Sequence, residues 1–229
     1  MNPDARKALS LLRQNLRQAS IATLGGFRPP PDARTSYFGA GVCLPSEGLP
    51  IWKGKPMFPL LQIRVSELPF VPEQIRGLAL LVLFHNDDEH PFDQAHGEGW
   101  LIREYHAADL AHLVPLPSAN ARYAPKPFPV AWHLVSDDAP GWEDGWNIVD
   151  LDAVNKDEAA TDAFFDNFSR YANTKVGGYP KEIQHGVGIH DFVFQVGSEE
   201  KSRWMWGDNG IGYFYKSTEG TWSWRCQFY

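Results

Sequence analysis

A glutamine in the middle of an apolar strand has to find a buried hydrogen-bond partner, or it costs the fold on the order of 1–3 kcal/mol. This chain carries that arrangement twice. Leu61-Gln62-Ile63 in the first half is answered by Phe194-Gln195-Val196 in the second. Gly77 follows Gln62 by 15 residues and opens the run GLALLVLF, and Gly210 follows Gln195 by 15 residues and opens GIGYFY. Each unit is preceded by a Gly/Pro turn, GAGVCLP from Gly39 in one case and GGYP from Gly177 in the other. The same polar residue at the same place implies one structural solution used twice, and so two β-rich halves related by a pseudo-twofold.

The rest of the pattern agrees. Short apolar runs punctuated by Gly and Pro predict strands at Leu60–Ile63, Gly77–Phe84, Trp100–Tyr105 and Phe128–Val135, then at Asp191–Val196, Ile211–Tyr215 and Trp222–Phe228. In the last of these Trp222, Trp224, Cys226 and Phe228 alternate with polar residues, which makes Cys226 an inert core residue. Helical spacing of Leu9, Leu12 and Leu16 predicts an amphipathic helix over 5–19, and Phe164, Phe168 and Tyr171 predict another over about 157–171. The expected fold is therefore α+β, mostly β: two pseudo-repeated halves fused into one body, with an N-terminal helix and one helix between the halves. Residues 1–34 read as that helix and a Pro-rich linker. Residues 35–229 read as a single domain, with half-repeats about 35–135 and 172–229 around an acidic insert and helix at 136–171.

Five blocks, in order, carry a family resemblance: FGAGVCLP, GKPMFPLLQI, KVGGYPKEIQ, FQVGSEE and MWGDNGIGYFY. They resemble those of the bacterial YwqG-like proteins, a domain-of-unknown-function family, over roughly Tyr37 to Tyr229. Ala40 stands where that family's first block has a second glycine. The resemblance implies an α+β, mostly β fold and brings no reaction, cofactor or catalytic residue with it.

The charge is concentrated. Between Asp137 and Asp166 there are ten acids and one base, while the other residues hold 20 bases and 18 acids. An acidic segment repels phosphate backbones and attracts basic surfaces, so nucleic acid is not an expected partner. The longest apolar run, Leu78–Phe84, is far too short to cross a bilayer, which needs roughly 20 residues. No signal peptide is apparent and two cysteines make no disulfide framework, so the expected location is the cytoplasm.

Catalytic motifs are missing. No G-x-S-x-G elbow, phosphate-binding loop or cysteine in a reactive context occurs. The segment HNDDEHPFDQAHGE is dense in His, Asp and Glu but has no rigid ligand spacing, and it reads as a polar loop between strands; no metal or other cofactor is expected. Asp208-Asn209-Gly210 is turn chemistry that feeds the strand at 211–215, with Trp204 or Trp206 packed inside.

Two functions of different kind fit these residues. The first is a non-enzymatic protein-binding role, with Trp142, Glu143, Asp144, Trp146, Asp150 and Asp152 forming an acidic, tryptophan-bearing surface. Tryptophan anchors dominate interface energies and acids steer basic partners. Its partner would be a basic protein, for example a toxin neutralised by an immunity protein, and not a membrane. The second is a small-ligand site, or an enzyme, in the cleft between the two halves, with His85, Gln195, Trp206 and Asp208 as candidate lining residues.

Overall fold

The computed structural model describes residues 1–229 except 89, 93, 119, 120, 169, 170 and 173. Ten strands form one antiparallel sheet: β1 (Arg17–Leu24), β2 (Tyr37–Phe38), β3 (Phe58–Arg64), β4 (Leu80–His85), β5 (Trp100–Tyr105), β6 (Phe128–Asp138), β7 (Lys175–Gly177), β8 (Phe192–Gly197), β9 (Ile211–Lys216) and β10 (Trp222–Gln227). Their order across the sheet is β10-β9-β8-β7-β1-β6-β2-β3-β4-β5. Each half thus supplies a four-stranded meander, β2–β5 or β7–β10. The first strand of each half is exchanged, so that β1 lies against β7 and β6 against β2.

The sheet curls until its edges nearly meet. On β10, Trp222 Nε1 donates to Glu104 Oε1 of β5 at 2.6 Å, and the same oxygen lies 2.6 Å from Lys216 Nζ. The main core draws on both halves, with Leu61, Ile63 and Leu83 beside Phe194, Val196 and Phe214. On the other face, smaller clusters around Val82 and Phe84, and around Tyr213 and Tyr215, are covered by loops.

The doubling extends to single hydrogen bonds. Tyr37 faces both Gln62 and Pro129, and Lys175 faces both Gln195 and Ile21. Gln62 is fully buried; its Oε1 accepts from Val42 N–H at 2.8 Å, and its Nε2 donates to the carbonyls of Ala33 (2.9 Å) and Thr35 (2.5 Å). Gln195, equally buried, accepts from Lys181 N–H at 2.9 Å and donates to Tyr171 O at 3.0 Å. In both halves the amide ties the chain before the neighbouring strand to the chain after it. Gly39 and Gly177 sit at matching turns with φ of +74° and +79°, where a Cβ would meet Lys126 O at 2.9 Å and Gln18 O at 3.2 Å respectively. Arg103 lies 5.0 Å over the Phe84 ring and donates to Gly48 O (2.6 Å); Arg225 lies 5.6 Å over Tyr215 and donates to Val187 O (2.7 Å). The glycine spacing does not superpose. Gln62 faces Val82 and Gln195 faces Tyr213, which puts Gly77 three residues before its strand and Gly210 immediately before its own.

Several sequence expectations change, among them the single helix over about 157–171 between the halves, where three helices form and the last ends at Asn167. The N-terminal helix α1 (Pro3–Gln14) is capped by the Asn2 side chain, which accepts from Ala5 N–H at 2.7 Å, and it ends well before residue 19. The chain from Arg17 to Leu24 is a central strand instead. Three of its four buried positions are small (Ala19, Ser20 and Ala22, with Leu24 at the end), because strands lie on both sides and a loop crosses close by, with the Ser20 hydroxyl bonded to both Phe70 N–H and Phe70 O at 2.9 Å. It follows that Phe128–Val135, read as the close of the first half, begins the second.

The acidic insert is helical. It forms α2 (Trp142–Gly145), α3 (Asp152–Asn155) and α4 (Glu158–Asn167), and α1 packs on α3 and α4 through Ala5, Leu9, Leu12, Val154 and Phe164. Asp157 caps α4, accepting from Ala160 N–H, and also accepts from Asn2 N–H at 2.6 Å, so one acid fastens two helices. Where β6 ends, Asp138 pairs with the fully buried Lys175 (Oδ2 to Nζ, 2.6 Å) and accepts from Tyr179 N–H at 2.8 Å. Among the described residues, no helix is long and apolar enough to cross a membrane.

Replacing Gln62 or Gln195 by Leu strands the loop groups each amide holds. Each single variant is expected to lose about 1–3 kcal/mol in urea unfolding. The double variant should lose close to the sum, since the two glutamines share no partner. A negligible loss in either single variant would contradict the matched role.

Candidate functional site

The two halves differ most in chemistry at one end of the sheet. Three residues beyond the glutamine-facing pair Val82 and Tyr213 lie His85 and Lys216, each the last residue of its strand and each facing a tryptophan, Trp100 or Trp222. Lys216 is closed off by its ion pair with Glu104. His85 opens instead onto a cleft of about 500 Å³, walled by Phe92, Tyr123, Trp204 and Met205, with His90 beside it and Arg203 at the exposed rim.

The floor is an ordered pair of imidazoles. Gly207 N–H donates to His90 Nε2 at 3.1 Å, which leaves the His90 proton on Nδ1. His85 Nδ1 lies 2.7 Å from Asn86 O, a carbonyl that can only accept, so His85 carries its proton there. The two remaining nitrogens, His90 Nδ1 and His85 Nε2, are 3.5 Å apart and complementary as donor and acceptor. Both ends of the chain therefore impose the same polarity, and both rings are held neutral.

Aromatic rings enclose this pair. The His85 ring centroid is 5.2 Å from that of Trp204, 5.4 Å from Trp206 and 5.8 Å from Phe58. Trp204 and Trp206 meet edge to face at 4.9 Å. The Trp206 indole fits because residue 212 is glycine, where a Cβ would come within 2.7 Å of the ring. The Nε1 atoms of both Trp204 and Trp206 are buried with no hydrogen-bond partner among the described residues. Burial lowers His85 from the usual imidazole value to about 3, and lowers His90 as well.

Of the four residues placed in a cleft from sequence, one, His85, lines it, and Trp206 is fully buried behind, packed against the His85 ring. Gln195 is buried in β8 and holds the chain at Lys181 and Tyr171. Asp208 is an exposed turn residue whose carbonyl accepts from Tyr229 N–H at 3.0 Å. The wall residues Phe92, Tyr123, Arg203 and Met205 come from three separate segments, and no spacing in the sequence links them.

The acid-rich loop has local work. Both Asp87 oxygens accept backbone N–H groups, from Arg122 at 2.7 Å and Tyr123 at 2.6 Å, and Asp88 pairs with Lys55. His96 accepts from Ile102 N–H at 2.9 Å. Glu89 and Asp93 lie outside the described residues. Among the described residues no group of three His, Cys, Asp or Glu side chains is placed to hold a metal ion.

The surface expected to meet a protein partner is divided. Asp144 is buried and accepts from Gly188 N–H (3.1 Å) and Val187 N–H (3.3 Å), so it fastens a loop of its own chain. Trp142 is half-buried, with its ring 4.9 Å from Phe164. Trp146 is 37% exposed, and Glu143, Asp150 and Asp152 face solvent.

A family model described as Domain of unknown function (DUF1963) matches residues 38–220, and the chain belongs to that family. The match starts inside β2 and leaves α1 and β1 outside it. No curated protein matches the chain.

A buried neutral histidine makes stability depend on pH. The unfolded imidazole takes a proton near 6.5 and the folded His85 only near 3. Stability from this residue is therefore intact above pH 6.5 and is lost as pH falls toward 3, by up to about 1.4 kcal/mol per unit. Urea unfolding between pH 6.5 and 5, above most carboxylate titration, should show this loss in the wild-type chain and a flatter profile in His85→Phe. Parallel profiles would contradict a neutral, buried His85.

Proposed function

We propose that this protein binds a small organic ligand in the cleft between its two halves, at the His85 end of the sheet. The observation that carries this reading is the break in the internal symmetry. A scaffold that repeats its glutamine clamps and its arginine-on-aromatic clamps in both halves has, at one end, an open aromatic cleft over a histidine pair in place of a closed lysine–glutamate pair. Clefts of roughly 300–1,000 Å³ with mostly apolar walls and a few fixed polar groups are the usual form of small-molecule sites. The block MWGDNGIGYFY, the most specific part of the resemblance to YwqG-like proteins, supplies Met205, Trp206, Gly207 and Gly212 to this end.

A thermal-shift screen of metabolites tests the reading, because a ligand that binds only the folded state raises the melting temperature. Met205 is 59% exposed, so Met205→Trp should leave the unliganded melting temperature in place while narrowing the cleft. Compounds that raise the melting temperature of the wild-type chain are expected to lose that effect in the variant. A screen with no hits, or hits that survive Met205→Trp, would contradict the cleft as the site.

A second reading rests on Trp146 and Phe165, which are 37% and 50% exposed beside Trp142 and the solvent-facing Glu143, Asp150 and Asp152. On that reading the acidic face docks a basic protein, without Asp144. Alanine at both Trp146 and Phe165 would then abolish capture of a basic partner and leave the metabolite screen unchanged.

A further inference from the structure

Resting on the cleft reading, we infer that the ligand is an anion with an apolar, ring-sized body, its negative group held at the Arg203 side of the cleft. The inference comes from which hydrogen-bonding groups around the cleft are still free. The acceptors are largely taken by the chain itself. Asp87 uses both oxygens on Arg122 and Tyr123 N–H groups, and Asp88 is paired with Lys55. The Asn86 Oδ1 accepts from Asp88 N–H at 2.8 Å. The His90 Nε2 accepts from Gly207, and the acceptor nitrogen of His85 is turned to His90.

The donors are left over. Arg203 has no hydrogen bond or ion pair from its guanidinium among the described residues, although it is the one arginine on the cleft wall. Its backbone sits at φ +60°, a conformation that non-glycine residues adopt at a cost, in the turn that leads straight into Trp204. Trp204, only 4% exposed and on the same wall, has an indole N–H with no acceptor, and Trp206 behind it has another. An unpartnered buried donor costs about 1–3 kcal/mol. A cleft whose free side-chain donor is a guanidinium at its rim favours a ligand that brings acceptor oxygens. A carboxylate or phosphate meets a guanidinium in a paired, charge-assisted geometry. The rings of Phe92, Tyr123 and Trp204 set the character of the rest of the molecule: flat or branched, and apolar.

Three probes with one ring system and different charge test this by titration calorimetry: indole-3-acetate, indole and tryptamine. The expected order for the wild-type chain is indole-3-acetate tightest, by about tenfold over indole, with tryptamine weakest. Arg203→Asn keeps a residue that tolerates the positive φ and should bring indole-3-acetate down to the affinity of indole, while Arg203→Lys should retain part of the preference. Equal affinities, or tryptamine tightest, would overturn the anion inference and leave the cleft reading standing. No binding by any probe, while metabolite hits remain sensitive to Met205→Trp, would likewise overturn only the inference. No probe binding together with an empty metabolite screen would overturn both.

Discussion

The first strands of the two halves lie side by side in the middle of the sheet, and each is gripped by the other half. β1 pairs with β6 along seven residue pairs and with β7 on its far side, and β6 reaches β2. Neither meander can be completed alone, because the strand that covers its inner edge comes from the other half. The buried Asp138–Lys175 pair lies at this junction, where removing one partner leaves the other charge uncompensated and costs several kcal/mol. The two halves are for this reason one cooperative body, and a cleft between them has fixed walls.

A doubled scaffold also offers an internal control for function. Features required by the fold occur in both halves: the glutamine amides that tie down Val42 and Lys181, the glycines against Lys126 O and Gln18 O, and the arginines over Phe84 and Tyr215. Features present in one half alone either join the halves, as the Asp138–Lys175 pair does, or are not demanded by the architecture. His85, His90 and the Trp204–Trp206 pair belong to this second group. They include two indole N–H groups without a partner among the described residues, a buried neutral imidazole and a half-buried one, which a fold optimised for stability alone would replace with hydrocarbon. The acidic insert has a structural part of its own: Asp157 joins α1 to α4 and Asp144 fastens the loop at 187–188.

Much of the scaffold was legible because its signals are local. A glutamine flanked by apolar residues announces a buried amide, and the alternation in Trp222–Phe228 announces a strand. β1 was hidden for a physical reason. A strand covered on both sides at close range takes Ala and Ser, which do not stand out against a preceding leucine stripe. Asp144 was misread because an acid within a charge run looks solvated, while its partners, the N–H groups of Val187 and Gly188, lie more than forty residues away in the sequence. The cleft was half legible. His85 and Trp206 stood out as polar or aromatic residues near strand ends. The donors and walls around them depend on how three distant segments meet.

Four of the nine tryptophans mark the two candidate regions, Trp204 and Trp206 at the cleft and Trp142 and Trp146 on the acidic face, so their indole N–H signals in a nitrogen-labelled protein can decide between them. The small-molecule fraction of an extract from the source cells is added first, and the protein fraction afterwards. The account predicts that the small-molecule fraction shifts Trp204 and Trp206 and leaves Trp142 and Trp146 where they were. Signals of Trp204 and Trp206 that stay fixed throughout, with Trp142 and Trp146 moving only when the protein fraction is added, would contradict it.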